Sequence, residues 1–158
     1  MKKLGILIIT LCSVLALSCQ KQTPAPDLFI AAVVGGANWQ GEPFTNYLAN
    51  SDTLQVQGVK GMAAGSNQKL TFKIRFNGVG NYALTGGQAG YAVNIEAGEP
   101  TNYKLDPGKV NTVAFAQYDG ISHVASGSFQ LYFIKDSGNP SADNAVSFTT
   151  GRFWIQLP

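Results

Sequence analysis

His123 is the only imidazole of the chain and so the first candidate for a general base. It follows Asp119 by four residues and has serines at positions 122, 126 and 128 nearby. An imidazole that takes a proton from a serine hydroxyl, oriented by a carboxylate, is the arrangement of the serine hydrolases. The sequence, however, lacks the G-x-S-x-G segment that exposes such a serine. We therefore interpret His123 as a solvated residue at the start of a hairpin strand.

The carboxylates suggest two further kinds of chemistry. Glu96 and Glu99 could form an acid and base pair, but such pairs usually come from separate elements around a cleft, so a solvated turn is the better interpretation. Asp136, Asn139 and Asp143 lie in the segment DSGNPSADN and offer oxygen ligands of the kind that Ca²⁺ prefers. They lack the spacing of a known calcium loop. A metal site is thus one hypothesis for this segment, and a turn-rich connection is the other.

Two tryptophans could contact a ligand. Trp39 lies between Asn38 and Gln40 in a polar loop after the first predicted strand, and Trp154 lies on the outer face of the last one. An exposed indole can stack on the C–H face of a sugar while neighbouring amides bind its hydroxyls. Alternatively, Trp39 plugs one end of the fold and Trp154 lies under a loop, because tryptophan is usually largely buried. The candidates for ligand binding are Asn38, Trp39, Gln40 and Trp154.

The start of the chain has the pattern of a lipoprotein export signal. Lys2 and Lys3 precede an apolar stretch that is shorter than the roughly 20 residues of a membrane-spanning helix. The segment Leu15-Ala16-Leu17-Ser18-Cys19 resembles a lipobox, whose cysteine becomes the first mature residue and carries acyl chains such as palmitate. The alternative is an ordinary signal peptide that leaves Cys19 free. We expect a signal peptide at 1–18, a lipidated Cys19 with a flexible tether at 19–27, and one β domain at 28–158.

The residues after Cys19 predict where the lipoprotein goes. Gln20 is not Asp, which resembles the pattern that bacterial sorting sends to the outer membrane. Lys21 is not followed by an acidic run, so the surface-export tag of Bacteroidetes lipoproteins is missing. We expect an outer-membrane protein, lipid-anchored on the periplasmic face.

Composition excludes several functional classes. Eleven Lys and Arg against nine Asp and Glu give a net charge of +2, and loss of Lys2 and Lys3 with the leader leaves the mature chain balanced. A basic nucleic-acid-binding surface is therefore excluded. Cys12 is lost with the leader as well, so the mature chain has one histidine and no free thiol. We expect no enzyme, no cofactor and no nucleic-acid partner.

The predicted elements are almost all strands, because apolar residues alternate with a period of two. Leu70, Phe72, Ile74 and Phe76 are the clearest case. Turn residues such as Gly35-Gly36 and Asp119-Gly120 separate the runs. The predicted runs are 28–34, 53–59, 70–76, 91–96, 112–118, 126–134 and 145–157. About eight to ten antiparallel strands, with no substantial helix after the signal peptide, predict an all-β fold that is either a β-sandwich or a small closed barrel.

The last run contains a break in this alternation. Val146 and Phe148 are even-numbered, whereas Phe153, Ile155 and Leu157 are odd-numbered. A strict period of two cannot place both sets on one face, so the pattern predicts a bulge or bend near residue 151.

Four short segments resemble a family of Bacteroidetes lipoproteins to which no activity is assigned. They are Phe29–Gly35 with Trp39, Gly80–Leu84, Ser126–Phe129 and Thr150–Phe153. Two positions within the last two segments differ from the family pattern. The resemblance implies a lipid-anchored all-β domain and adds no catalytic residue.

These observations favour a non-catalytic outer-membrane lipoprotein that binds a glycan or a protein of the envelope through loops at one end. The alternative is a small β-barrel that carries an apolar ligand, suggested by the many phenylalanines on inward faces. A hydrolase that uses His123 is the third and weakest hypothesis.

Overall fold

The structure is a computed structural model that describes residues 27–61, 65–96 and 98–158. The predicted signal peptide, the lipidation site Cys19 and all but the last residue of the tether lie outside the described residues. None of the helices in the described ranges is both long and apolar enough to span a bilayer.

Ten strands form the domain, and the helical structure within the described ranges is a single 3₁₀ turn at Gly86–Gln88. The strands are β1 (Phe29–Val34), β2 (Ala37–Tyr47), β3 (Thr53–Gly61), β4 (Asn67–Arg75), β5 (Gly80–Ala83), β6 (Ala89–Asn94), β7 (Thr101–Leu105), β8 (Thr112–Asp119), β9 (Val124–Ser137) and β10 (Ala145–Gln156).

Eight of these strands close an antiparallel barrel in the order β10-β1-β2-β3-β4-β6-β7-β9, because β9 pairs back onto β10. The other edge of the long β9 is shared by β7 and β8: Leu105 of β7 lies opposite Phe133, and Thr112 of β8 lies opposite Gln130. β5 adds to β8 as the outermost strand. The all-β prediction is confirmed, and of the two predicted architectures the fold is the closed barrel.

The antiparallel order gives the barrel two different ends. The end that we call the entry end is where the described chain begins at Asp27, and it also carries the connections 48–52, 76–79 and 120–123. The opposite end, which we call the far end, carries the connections 35–36 and 138–144, the end of β3 with the start of β4, and the end of β6 with the start of β7. The predicted turns at Gly35-Gly36 and Asp119-Gly120 are confirmed, one at each end, and each joins two paired antiparallel strands.

The barrel interior is packed with aromatic rings. Phe72 lies 6.1 Å from Phe129 and 6.2 Å from Phe153, and Phe148 lies 5.8 Å from Phe133 between ring centroids. Each fully buried side chain of this size contributes about 1.5–3 kcal/mol to folding. The packed aromatic core therefore stabilises the barrel. No disulfide among the described residues contributes to this stability.

The predicted break in β10 is confirmed. The pairing of β10 with β9 shifts register between Phe148 and Gly151, and Thr150 has a left-handed backbone with φ of 49°. The extra residue turns the strand so that Phe148 and Phe153 both point inward, at 0% and 1% exposure.

Two of the segments that resemble the lipoprotein family pair with each other across β9 and β10. Gly127 lies opposite Phe153, and Gly151 lies opposite Phe129. A Cβ atom at Gly127 would lie 2.5 Å from the Phe153 ring, and one at Gly151 would lie 2.6 Å from the Phe129 ring. Each phenylalanine ring thus covers the glycine of the other strand. The two G-x-F segments form one reciprocal packing unit.

Strand β2 corrects the sequence analysis, which placed Trp39 in a loop. Glycine and proline, both present in the segment GGANWQGEPF, are uncommon within strands. Pro43, however, lies beyond Gly41, the last residue of β2 that pairs with β1, so only the pairing of β2 with β3, in which Pro43 lies opposite Gly58, continues there. A missing N–H is tolerated where no neighbouring strand requires it. Strands β5 and β7 were also missed, because four or five residues carry too little pattern.

Candidate functional site

The far end of the barrel holds an open pocket of about 320 Å³. Its position follows from the strand ends, because β1, β4, β6, β7 and β10 each contribute residues there. Its larger lining side chains are Val34, Gln68, Tyr91, Val93, Tyr103, Asp143 and Val146. We refer to this pocket as the mouth pocket.

Tyr91 forms the floor of the mouth pocket. Its ring packs edge-on against Phe148 at 5.0 Å and lies 6.3 Å from Phe133. Phe148 in turn contacts Trp39 at 5.3 Å. The space below Tyr91 is therefore occupied by core rings, and a ligand of the mouth pocket would bind at the opening rather than along the barrel axis.

The two tyrosines of the mouth pocket lie side by side, with ring centroids 5.5 Å apart. Within the described residues, neither hydroxyl has a hydrogen-bond partner. Burial raises the pKa of Tyr91, and the nearby ring of Tyr103 adds to this shift. Burial and the charge of Asp143 also raise the pKa of Tyr103 above 10.0. Both phenols therefore stay neutral at physiological pH and can donate or accept a hydrogen bond.

The four residues predicted to bind a ligand divide between the two faces of the barrel wall. Trp39 points inward and is only 2% exposed, and its ring lies over Gly41 and Gly58, whose absent side chains leave room for it. Its burial corresponds to the alternative interpretation, in which Trp39 fills the fold. Asn38 and Gln40 are exposed on the outer face.

An open groove of about 590 Å³ crosses this outer face. Ala31 and Val33 of β1 form part of its floor and lie opposite Gln40 and Asn38 in the register of β1 and β2. Polar groups from neighbouring strands line its edges, namely Asn38, Gln40, Lys60, Thr150 and Arg152. We refer to it as the outer groove.

Trp154 lies on the outer side of β10, opposite Phe29 of β1. The side chain is half-buried, and its indole nitrogen is buried without a hydrogen-bond partner among the described residues. The outward orientation predicted from alternation is confirmed. Three of the four predicted residues thus share the outer surface, and Trp39 does not.

The three predicted metal ligands each interact elsewhere. Asp136 forms an ion pair with Lys104 at 2.7 Å, and the side-chain oxygen of Asn139 accepts a hydrogen bond from the Ser141 amide at 2.9 Å. Asp143 lies at the mouth pocket. No group of three or more His, Cys, Asp or Glu side chains that could hold a metal ion is found in the described part of the chain.

The chain supplies its own cation to the connection at 138–144. The ammonium of Lys135 donates to the carbonyl oxygens of Asn139, Pro140 and Ala142 at 3.3, 3.2 and 2.9 Å. A bound cation would compete with this ammonium for the same oxygens. The arrangement favours the interpretation of DSGNPSADN as a structured turn.

His123 lies exposed in the turn between β8 and β9, as predicted. Ser122 donates to the Asp119 carboxylate at 2.7 Å, and the Ile121 amide donates to it at 2.8 Å. These hydrogen bonds lower the pKa of Asp119. The Asp119 carboxylate therefore holds the turn together. The Ser122 hydroxyl donates to this carboxylate and not to the imidazole of His123.

Sequence reasoning missed both tyrosines of the mouth pocket. Tyr91 begins a predicted strand, and Tyr103 lies in a five-residue strand that was not predicted. Only the pairing of β6 with β7 brings them together. The sequence did offer one signal for them. A tyrosine on the inward face near a strand end needs a partner or water for its hydroxyl, so it is a candidate for a site at the opening of the barrel.

Comparisons of the chain with family models, with curated proteins and with solved structures find no match. The resemblance to Bacteroidetes lipoproteins therefore stays a prediction from the four segments.

Proposed function

We propose that this chain is a lipid-anchored envelope protein that binds a small ligand in the mouth pocket without transforming it. The observation that carries the proposal is the pair of neutral tyrosine hydroxyls, without a hydrogen-bond partner among the described residues, beside core aromatic rings at the open end of a β-barrel. Hydrogen-bonding groups that converge beside aromatic rings are typical of small-molecule sites. The closed barrel itself supports a carrier or binding role.

The dimensions of the mouth pocket limit its ligand. A volume of about 320 Å³ is at the small end of the roughly 300–1,000 Å³ of ligand sites. The rings of Tyr91 and Tyr103 favour a flat, partly apolar molecule with one hydrogen-bonding group. The carboxylate of Asp143 at the rim favours a neutral or positively charged ligand over an anion.

The lipobox supports the envelope part of the proposal. Acyl chains on Cys19 would hold the protein at a membrane, because each buried CH₂ contributes about 0.8 kcal/mol. The periplasmic face of the outer membrane is the location that Gln20 and the absence of an acidic run favour.

Binding of the apolar amine N-phenyl-1-naphthylamine tests the mouth pocket. We expect the probe to become fluorescent on the barrel, and Val146→Trp to abolish this by filling the pocket. Tyr103→Phe should weaken binding about two- to tenfold, because one hydrogen bond is worth about 0.5–1.5 kcal/mol. Titrations of probe fluorescence measure these affinities.

Tyr132→Phe is the matched control, because it removes an outward hydroxyl that contacts only Gln130 in the described structure. Its affinity should equal that of the unmodified protein. Probe binding that survives Val146→Trp in a folded variant would contradict the mouth pocket as the site.

The outer groove supports a second function, the binding of an envelope glycan. Outward Asn38 and Gln40 place amides beside apolar Ala31 and Val33, a combination that suits a sugar with one C–H face. Gln40→Ala and Arg152→Ala should each lower glycan affinity about two- to tenfold on an array of envelope oligosaccharides. Gln117→Ala, on strand β8, is the control. Equal array signals for all variants would remove the outer groove as a glycan site.

A further inference from the structure

Exposed apolar side chains concentrate at the entry end of the barrel. Ile121 is 94% exposed and Val79 is 61% exposed, each at the tip of a connection there. Leu28, Tyr47 and Tyr118 are also large, exposed and located at this end. The far end shows one such residue in the described structure, Ile95, and the remaining two, Phe44 and Val110, lie on the side wall.

These tips project from turns that are rigidly held. The turn that carries Ile121 is fixed by the Asp119 carboxylate, and the turn that carries Val79 is fixed by the Tyr82 hydroxyl, which donates to Gly78 or Asn77 at 2.6 Å. An apolar side chain that is almost fully exposed on an ordered turn gains free energy when another apolar phase covers it.

The chain outside the described structure joins the barrel at this same end. Asp27 precedes Leu28 and β1, and Phe29 pairs with Trp154 near the end of β10. Cys19 is eight residues before Asp27, so the tether reaches at most about 28 Å even when fully extended. A lipid on Cys19 thus keeps the entry end within reach of the bilayer.

We propose that the entry end docks on the membrane, with Val79 and Ile121 inserted among the lipids and Tyr47 and Tyr118 at the headgroup level. This inference rests on the lipid anchor in the proposed function. Tyrosine is enriched at membrane interfaces because its ring is apolar and its hydroxyl polar. Among the charged groups at this end, Asp52 and Arg75 form an ion pair at 3.3 Å, and the Asp119 carboxylate accepts hydrogen bonds from its own turn. The mouth pocket then faces away from the membrane.

Single-site fluorophore labelling of the acylated protein tests the docking. The mature chain has no cysteine besides Cys19, so Ile121→Cys can be labelled alone with nitrobenzoxadiazole. In vesicles of phosphatidylethanolamine and phosphatidylcholine we expect a several-fold rise in emission and quenching by doxyl lipids. Ile95→Cys is the matched control, an exposed isoleucine at the far end, and its label should show neither change.

The outcomes separate this inference from the anchor on which it rests. If the protein does not float with the vesicles, the anchor fails. If it floats and the label at position 121 stays in water, or the label at position 95 is quenched instead, the docking is overturned. The same rise at position 121 in the unacylated Cys19→Ser variant, in buffer without vesicles or detergent, would indicate contact with a second copy and would also overturn it. A second variant combines Val79→Asp and Ile121→Asp with a label on Tyr47→Cys. It should still float with the vesicles, but doxyl lipids should no longer quench its label.

Discussion

Gly127→Ala should destabilise the barrel by about 3 kcal/mol or more, a large part of the roughly 5–15 kcal/mol that stabilises a small domain. A Cβ atom there would lie 1.9 Å from the carbonyl oxygen of Ala114 and 2.5 Å from the Phe153 ring. The carbonyl belongs to the neighbouring strand β8 and cannot move without breaking the sheet. Urea unfolding followed by tryptophan fluorescence measures the loss.

Gly61→Ala is the control for this prediction. It makes the same change in strand β3, where the new Cβ would meet no atom within 4 Å. We expect its unfolding midpoint to stay close to that of the parent protein. Equal midpoints for the two variants would contradict the reciprocal packing of glycine and phenylalanine across β9 and β10.

Cys19→Ser should abolish acylation completely. A serine hydroxyl cannot take the place of the lipobox thiol, so the chain would carry no fatty acid. Growth with radiolabelled palmitate, followed by gel analysis of the protein, measures incorporation. Cys12→Ser is the matched control, because this cysteine lies within the predicted signal peptide and should leave labelling intact. Label in the Cys19→Ser protein would contradict the anchor.

Much of the fold could be predicted from local sequence pattern. Leu70, Phe72 and Ile74 alternate with polar residues and are all buried in β4, as expected. The change of parity between Phe148 and Phe153 located the bulge correctly, because one register slip moves every later side chain to the other face. Such features depend on neighbouring residues alone.

Closure of the barrel could not be predicted in this way. It depends on β9 pairing with β7 on one edge and with β10 on the other, so that residues as distant as Leu105 and Phe133 meet. A sandwich has the same strand pattern and differs only in these pairings. Trp39 was misplaced for a related reason, since the register of β2 against its neighbours decides whether a proline is tolerated.

The candidate site likewise could not be predicted from the pattern within single strands. Tyr91 and Tyr103 come from separate strands, and nothing in the alternation of either strand marks a ligand-binding residue. Asn38, Gln40 and Trp154 were predicted as candidates from residue type alone, and their role in binding stays a prediction. The mouth pocket emerges only when the strand ends are brought together, and its phenols then lack partners within the described structure.

A structure of the barrel with N-phenyl-1-naphthylamine bound would show whether the mouth pocket is the binding site. We expect the probe at the far end, with its rings on Tyr91 and its amine within hydrogen-bond distance of a Tyr91 or Tyr103 hydroxyl. A probe found in the outer groove or at the entry end, with the mouth pocket empty, would contradict this expectation.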